Sequence, residues 1–190
     1  QMCIRDRAKV DLEIVADGTL TFDPIELTLR PGRTVTVDLA AEARLEGVES
    51  MAIVARSLGG VPVAVMNESF LPFGDLPVSN MSATVGTPRA ATKWFAPIEN
   101  DDGGLVLYNP TDGIVTVSVS ELVDGEPSFV VDVELGGRRR AHVEAAAFST
   151  ERPVVVVESP SPIVVGRILA GVSVHAQLIG VPVEGVELLD

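Results

Sequence analysis

Several kinds of residue are scarce in this chain of 190 residues, and each shortage excludes a class of protein. A single cysteine, Cys3, rules out a disulfide-stapled scaffold and a cysteine-ligated metal site. No apolar run approaches the roughly 18 to 20 residues that a membrane-spanning helix needs. Basic residues number 14 against 27 acidic ones, a net charge of -13, so phosphate backbones and anionic lipids are repelled. We therefore expect neither nucleic acid nor a membrane surface as a partner.

The first seven residues follow no pattern found in the rest of the chain. Gln1-Met2-Cys3-Ile4-Arg5-Asp6-Arg7 resembles the translated end of a sequencing adaptor, codon for codon. We exclude residues 1–7 from the fold argument for this reason. Without them the chain has no cysteine and a net charge of -14, from 12 basic and 26 acidic residues. We also expect the natural N-terminus, with any signal or anchor segment, to lie outside this sequence.

Alternation of apolar and polar residues recurs along the chain and is typical of half-buried strands. Valine and threonine dominate these runs, as they do in pleated sheets. The clearest runs are Val10–Ile14, Val35–Leu39, Val115–Val119 and Val131–Leu135. Val154–Val157 lacks the alternation, which predicts a central strand covered on both faces. Helix is nearly absent, because Ala40–Leu45 and Ala145–Phe148 are long enough only for a turn.

Turn signals separate these runs at intervals of about 8 to 12 residues, the spacing of a sandwich or barrel. Examples are Asp17-Gly18, Pro31-Gly32 and Gly136-Gly137. Residues 70–92, which include Pro72, Pro77 and Pro88, form the one long irregular stretch, and we predict a connector there. The predicted fold class is all-β, built from antiparallel sheets.

The sequence also contains an internal repeat. Val10–Gly18 (VDLEIVADG) aligns with Val117–Gly125 (VSVSELVDG), and Arg56-Ser57 aligns with Glu158-Ser159. Each copy has the dimensions of an immunoglobulin-like sandwich. We therefore predict two tandem antiparallel β-sandwich modules over 8–92 and 93–190, the first without its opening strand. The strand beside that gap should have unpaired backbone groups and an uncovered apolar strip.

The second predicted module carries short motifs in a fixed order. They are Trp94-Phe95-Ala96, Leu105–Pro110, Gly137-Arg138, Arg152–Val155 and the basic residue Arg167. The series resembles an actinobacterial surface repeat, the family called domain of unknown function 5719. The resemblance implies tandem β-sandwich modules behind a secretion or anchor segment, an extracellular or envelope-attached location in a bacterium, and further modules upstream and downstream. It implies no activity and no cofactor.

Residues suited to catalysis or metal binding are few. Neither His142 nor His175 adjoins a nucleophile motif, and two unlinked histidines do not make a zinc site. Glu99–Asp102, followed by two glycines, has oxygen ligands that suit calcium but lacks the spacing of a dedicated calcium loop. A solvated connector is the favoured interpretation, with calcium as the alternative. The sequence thus predicts no catalytic, cofactor-binding or metal site. We therefore expect that the protein is not an enzyme.

Two aromatic residues, Trp94 and Phe95, are candidate contact residues at the start of the second predicted module. Exposed aromatics of this kind suit stacking on a sugar. Packing in the core or at a junction between modules is favoured, because large aromatic side chains dominate buried surfaces.

Two arginines, Arg138 and Arg140, are the other candidate contact residues. With Arg139 they form a basic run that suits an anionic polymer. Alternation places Arg139 on the face opposite the other two, which divides the run. We therefore favour ion pairs across the hairpin, to Asp132, Glu134 or Glu144.

The functional hypothesis from sequence is a non-catalytic extracellular or cell-envelope protein of β-sandwich repeats, acting as a spacer, adhesion surface or interaction scaffold. Its partner would be an unidentified protein or a cell-wall glycan. The alternative is a carbohydrate-binding accessory module of a cell-wall or polysaccharide enzyme. Aromatic residues make up only 4% of the chain, which argues against an exposed aromatic platform for sugars.

Overall fold

The structure is a computed structural model that describes residues 7–16, 22–46, 48, 51–73, 76–98, 103–149, 153–170, 175–184 and 187–188. The described residues form strands and two single-turn 3-10 helices, and every strand pair is antiparallel. The predicted all-β class is therefore confirmed. The strands are β1 (Ala8–Ala16), β2 (Ile25–Leu29), β3 (Met51–Leu58), β4 (Met66–Phe73), β5 (Leu76–Val85), β6 (Arg89–Pro97), β7 (Gly104–Tyr108), β8 (Val115–Val123), β9 (Glu126–Leu135), β10 (Arg140–Glu144), β11 (Val154–Ala170), β12 (His175–Ile179), β13 (Val181–Glu184) and β14 (Glu187–Leu188).

The chain divides into two compact units, with unit 1 ending at Val65 and unit 2 beginning at Met66. The sequence placed the boundary between 92 and 93, so the division in the structure comes earlier. Residues 66–92 belong to unit 2 because β5 packs beside β12 and because β6 pairs with β11.

The sequence predicted an irregular connector over 70–92. This prediction is wrong, because most of the described residues in that range lie in strands. β4 and β5 form a two-stranded hairpin, and β6 begins at Arg89. Pro72 and Pro77 lie within this hairpin, where the register shifts beside Pro72. A strand of a two-stranded ribbon has one unpaired edge, which can accommodate a residue that has no N–H to donate.

Unit 1 contains a three-stranded sheet in the order β2-β1-β3. Ala8, Val10 and Leu12 alternate with polar residues on β1 and are buried on one face, as the period of two predicts. The strand predicted over Val35–Leu39 is absent, although its valines alternate in the expected way. A strand needs a neighbour to complete its hydrogen bonds, and none of the described strands pairs with this segment.

Unit 2 has two sheets that share the long strand β11. One sheet runs β9-β8-β11-β6-β13, and the other runs β10-β7-β11-β12. β11 passes from the first to the second at a register shift between Glu158 and Ile163, where the sequence reads Ser-Pro-Ser-Pro. The central position predicted for Val154–Val157 is confirmed, since β6 and β8 flank it, although Val154 itself is 40% exposed.

The core of unit 2 lies between the inward faces of these strands. Its largest fully buried side chains are Trp94, Ile98, Leu105, Leu107, Leu135 and Ile163. They come from β6, β7, β9 and β11 and from the residue after β6, so the core depends on pairings between segments far apart in sequence.

Part of unit 2 repeats the strand arrangement of unit 1. The order β2-β1-β3 matches the order β9-β8-β11. In each case the central strand, β1 or β8, pairs with the strand that follows it in the chain, β2 or β9. The register matches too, because Asp11 opposes Arg56 as Ser118 opposes Glu158, 107 and 102 positions further along the chain. The two 3-10 helices, Ala43–Leu45 and Ala145–Ala147, are likewise 102 positions apart. Each is the single turn that the alanine-rich segments predict.

Candidate functional site

Asn109 joins the loop after β7 to the turn between β9 and β10. Its side chain is completely buried, and Nδ2 lies within hydrogen-bonding distance of three carbonyl oxygens, those of Gly113 at 2.7 Å, Leu135 at 3.2 Å and Gly136 at 3.1 Å. Its Oδ1 accepts hydrogen bonds from the backbone N–H and the hydroxyl of Thr111, at 2.9 and 2.8 Å. The amide therefore holds loop and turn together, and its polar atoms are used internally.

Arg138 lies in the turn that Asn109 supports. Its Nε donates to Asp112 Oδ1 at 2.5 Å, and its backbone N–H donates to Thr111 O at 2.8 Å. Its φ of 51° is in the left-handed region, which is unfavourable for a residue with a side chain. The carboxylate that pairs with Arg138 here is Asp112, in the loop after β7, which is not one of the three acidic residues considered from the sequence.

Arg140 is the first residue of β10 and is only 4% exposed, whereas Arg138 lies on the surface. The prediction that these two arginines share a face is wrong, because strand alternation does not extend back into the turn. Arg139 stands between them, and its carbonyl oxygen accepts a hydrogen bond from the backbone N–H of Asn109. The three arginines thus differ in depth and do not form a common basic surface.

The turn that contains Arg138 corresponds to a turn in unit 1. Arg33 N donates to Arg30 O in unit 1, and Arg139 N donates to Gly136 O in unit 2. Gly137 therefore corresponds to Pro31, and Arg138 corresponds to Gly32, whose φ is also positive at 65°. Glycine positions alone do not show which residue of a turn takes the left-handed conformation.

Trp94 is a core residue. It is completely buried, and Nε1 lies 3.0 Å from both Ala91 O and Ile163 O. This is the packing that the sequence favoured, and it leaves no face of the indole for a sugar. Phe95 points to the other face of β6 and is half-buried.

Glu121 carries a buried carboxylate and belongs to none of the motifs found in the sequence. Glu121 is 4% exposed and accepts hydrogen bonds from the backbone N–H of Ser149, at 2.9 Å, and from the Ser149 hydroxyl. It follows Val115, Val117 and Val119 at the period of two, so its inward direction was readable from the sequence. The bond to Ser149 ties β8 to the segment that precedes β11.

The remaining candidates for catalysis or metal binding are the two histidines and the acidic loop, and the described residues place no such site around them. His142 lies exposed on β10, and no hydrogen bond from its side chain is found in this part of the chain. The backbone of His175 is in β12, while Glu99–Asp102, the calcium candidate, lies outside the described residues. Within the described ranges, no group of three or more potential metal ligands is brought together.

Surface charges form local pairs. Lys93 Nζ lies 3.0 Å from Glu158 Oε1 across β6 and β11, and Arg56 Nε lies 3.2 Å from Glu13 Oε1 across β3 and β1. At the 3-10 helix of unit 1, the hydrogen bond from Arg44 lowers the pKa of Glu42. Phe129 on β9 is 65% exposed and is the most exposed aromatic side chain described.

Comparison with known proteins adds little to these observations. The sequence matches no model of a known protein family, and no curated protein matches it. The crystal structure of Thermotoga maritima 1070 is similar to half of the chain, with 23% identity, coverage of 50% of this chain and 97% of that one, and a TM-score of 0.41. A likeness at this TM-score carries no argument about fold or function. Among the described residues, no helix has the length and apolar character needed to cross a membrane.

Proposed function

We propose that the chain is a non-catalytic array of two related β-sandwich modules that acts as a structural spacer or interaction scaffold. The observation that carries this proposal is the shared register of β2-β1-β3 and β9-β8-β11. Two units with the same pairings, at the sequence offsets of the repeat, are what duplication of one module produces. The immunoglobulin-like description of each module is part of the proposal.

The use of the polar side chains supports a structural role. Three buried polar side chains make hydrogen bonds to backbone groups of unit 2: those of Asn109, Glu121 and Trp94. Groups used in this way stabilise strands and turns and are not positioned to act on a substrate. An acidic exterior keeps such an array soluble and repels anionic polymers.

The proposed location is extracellular or at a bacterial cell envelope, with a protein or a wall glycan as partner. Support comes from the resemblance of the motif series to the actinobacterial surface repeat. Repeat modules in such a setting project loops from rigid sheets, which suits a spacer or an adhesion surface.

A panel of ester, peptide and glycoside substrates tests the non-catalytic role. We expect the purified protein to turn over none of these substrates. The His142→Ala variant is assayed beside it, to test whether any turnover depends on this exposed histidine. Turnover that is lost in this variant would contradict the proposal, because His142 is the histidine whose side chain lies on a described surface.

The accessory role in carbohydrate binding requires a different residue from the one first considered. Trp94 is buried, and Phe129 is the most exposed of the aromatic side chains that the structure describes, so it is the one to test. A glycan array with the wild type and Phe129→Ala separates the two functions. We expect no glycan signal from the wild type, and a signal removed by Phe129→Ala would favour the accessory role.

A further inference from the structure

A β-bulge in β9 turns Phe129 onto the outer face of unit 2. Val133 and Val131 alternate toward the core, and the same period of two would bring Phe129 to that side next. The register instead shifts beside Ser120, so that Phe129 lies opposite Ser120 on the face away from the core. Val130, the extra residue, packs against the core, while Phe129 is 65% exposed. A bulge is a known means of redirecting a side chain beside a binding site.

Phe129 belongs to an apolar patch that spans three strands. Pro127 of β9 lies opposite Leu122 of β8, on the same outer face as Phe129. Val154 of β11 lies next to Leu122 as the register of β8 and β11 continues, and it is 40% exposed. We call Phe129, Pro127, Leu122 and Val154 the outer patch. Three neighbouring strands span about 10 Å, which is the width of an α-helix.

The described residues of unit 1 carry no such patch at the corresponding place. Glu13 of β1 stands 107 positions before Ser120, and its carboxylate pairs with Arg56 at 3.2 Å. The described strand β2 begins at Ile25, opposite Leu12, and so does not extend beside Glu13. An ion pair therefore lies on the outer face of β1 and β3. The outer patch is a feature of unit 2 and is not required by the strand arrangement that the two units share.

The charges beside the outer patch are acidic. Residues 115–135, which form β8, β9 and the turn between them, include five acidic residues and no lysine, arginine or histidine. Asp124 in the turn and Asp132 on β9 are exposed on either side of Phe129. A partner that covers the outer patch gains most if it brings positive charge to this side.

Two cations lie on the other side of the sheet, at β6. Lys93 lies opposite Glu158 of β11 and pairs with it at 3.0 Å. Arg167 donates to the carbonyl oxygen of Pro97, at the end of β6. The strands β8 and β11 separate β6 from β9. The acidic rim is therefore on the β9 side of the outer patch, and Arg167 marks its limit at β6.

We propose that the outer patch binds an amphipathic α-helix of a partner protein, with lysine or arginine beside its apolar stripe. A helix laid on an apolar surface is an established mode of recognition, and its basic flank would match the carboxylates on the β9 side. A second copy of this chain would instead set carboxylates opposite carboxylates. The inference rests on the proposed scaffold role, for which it names the chemistry of the partner.

Three synthetic peptides test this proposal on the full chain. The first has about four helical turns, with a leucine stripe flanked by lysine. The second has glutamate in place of lysine, and the third has the composition of the first in an order that breaks the stripe. We expect the lysine-flanked peptide to bind at least about tenfold more tightly than either of the others in fluorescence anisotropy, because only it matches both the apolar surface and the charge.

Removal of the exposed aromatic ring tests the apolar contact. Phe129→Ala should weaken binding of the lysine-flanked peptide by about tenfold or more, as loss of an aromatic anchor does. Ile114→Ala is the matched control, since Ile114 is 70% exposed and precedes the other end of β8. It should leave binding unchanged. Both residues are on the surface, and circular dichroism checks that both variants fold.

A pair of charge reversals tests the acidic rim. Asp132→Lys should weaken binding about two- to fivefold, the range of an exposed ion pair. Glu26→Lys makes the same change of net charge at the corresponding position of unit 1, since Glu26 opposes Asp11 as Asp132 opposes Ser118. It should leave binding unchanged.

The proposal fails if the lysine-flanked peptide does not bind, if Phe129→Ala binds it as well as the wild type does, or if Glu26→Lys weakens binding as much as Asp132→Lys. It also fails if sedimentation shows that two copies of the chain pair through Phe129. These outcomes would leave the two-module array in place, because the array rests on strand register. Turnover of a substrate would contradict the non-catalytic role and would not bear on the outer patch.

Discussion

Unit 1 and unit 2 contain the same three-strand pairing but complete it to different extents. In unit 2 the sheet continues through β6 and β13 and is faced by a second sheet, so Val117, Val119, Val155 and Val157 are fully buried. In unit 1 the buried cluster consists of Ala8, Val10 and Leu12, with partly buried neighbours such as Ile53 and Ala55. The comparison teaches that an alternating sequence specifies a strand and its faces, while burial depends on the strands that come to cover it.

The largest expected effect comes from removing the buried amide of Asn109. Asn109→Ala should lower the free energy of unfolding of unit 2 by about 3 to 5 kcal/mol, because several buried groups lose their partners and each costs about 1 to 3 kcal/mol. Urea denaturation followed by fluorescence of Trp94, the single tryptophan, measures this in unit 2. Ser128→Ala on the exposed start of β9 is the control. A loss below about 1 kcal/mol would mean that Asn109 does not join loop and turn.

A smaller effect is expected at Gly137, where unit 1 has proline. A Cβ on Gly137 would lie 2.1 Å from the backbone oxygen of Asp112, so Gly137→Ala forces the loop and turn apart. We expect a loss of about 2 to 3 kcal/mol, typical of overpacking. Gly113→Ala, where a Cβ meets nothing within 4 Å, is the matched control and should change stability much less. Equal effects of the two substitutions would contradict the close approach of Asp112.

Glu121 on β8 occupies the position that the buried Ile14 has on β1. Replacing Glu121 with isoleucine therefore gives unit 2 the residue found in unit 1. Glu121→Ile should cost about 1 to 2 kcal/mol, because Ser149 loses its hydrogen-bond acceptor while apolar burial is gained. Glu121→Gln, which keeps an acceptor of the same shape, should cost less. The same denaturation assay measures both, and a more stable isoleucine variant would show that the bond to Ser149 contributes nothing.

The smallest effect is expected in the two turns. Arg138→Gly should change stability by less than about 1 kcal/mol, as relief of the left-handed backbone is partly offset by loss of an exposed ion pair. Gly32→Ala should cost about 1 kcal/mol in unit 1, because alanine must take the same conformation. Hydrogen exchange over β1 and β2 measures the second change. If Gly32→Ala is neutral, the two turns are not equivalent.

Much of the fold was predictable from local pattern. The alternating apolar residues of β1, β8 and β9 predicted strands at the right places, and the inward position of Glu121 follows from the same rule. The strand over Val35–Leu39 was predicted by an equally good pattern and is absent. Pattern specifies which faces a strand would have, whereas its formation requires a partner for its backbone groups.

The candidate site was predicted less well. Trp94 was correctly favoured as a packing residue, because a large aromatic gains most from burial. The depths of Arg138 and Arg140 were not predictable, since they depend on where the turn ends and the strand begins. The hairpin of β4 and β5 was not predicted, because prolines within a segment usually indicate that no strand forms there. A strand with one unpaired edge can contain proline, since no N–H is needed on that side.

By itself the sequence determined the all-β class and the faces of the alternating strands, because these follow from side-chain spacing along one segment. Only the tertiary structure decided that β6 pairs with β11, that β4 and β5 form a hairpin in unit 2, and that β3 has no second neighbour among the described strands. Those features depend on which distant segments pair, and a strand's own sequence does not name its neighbour.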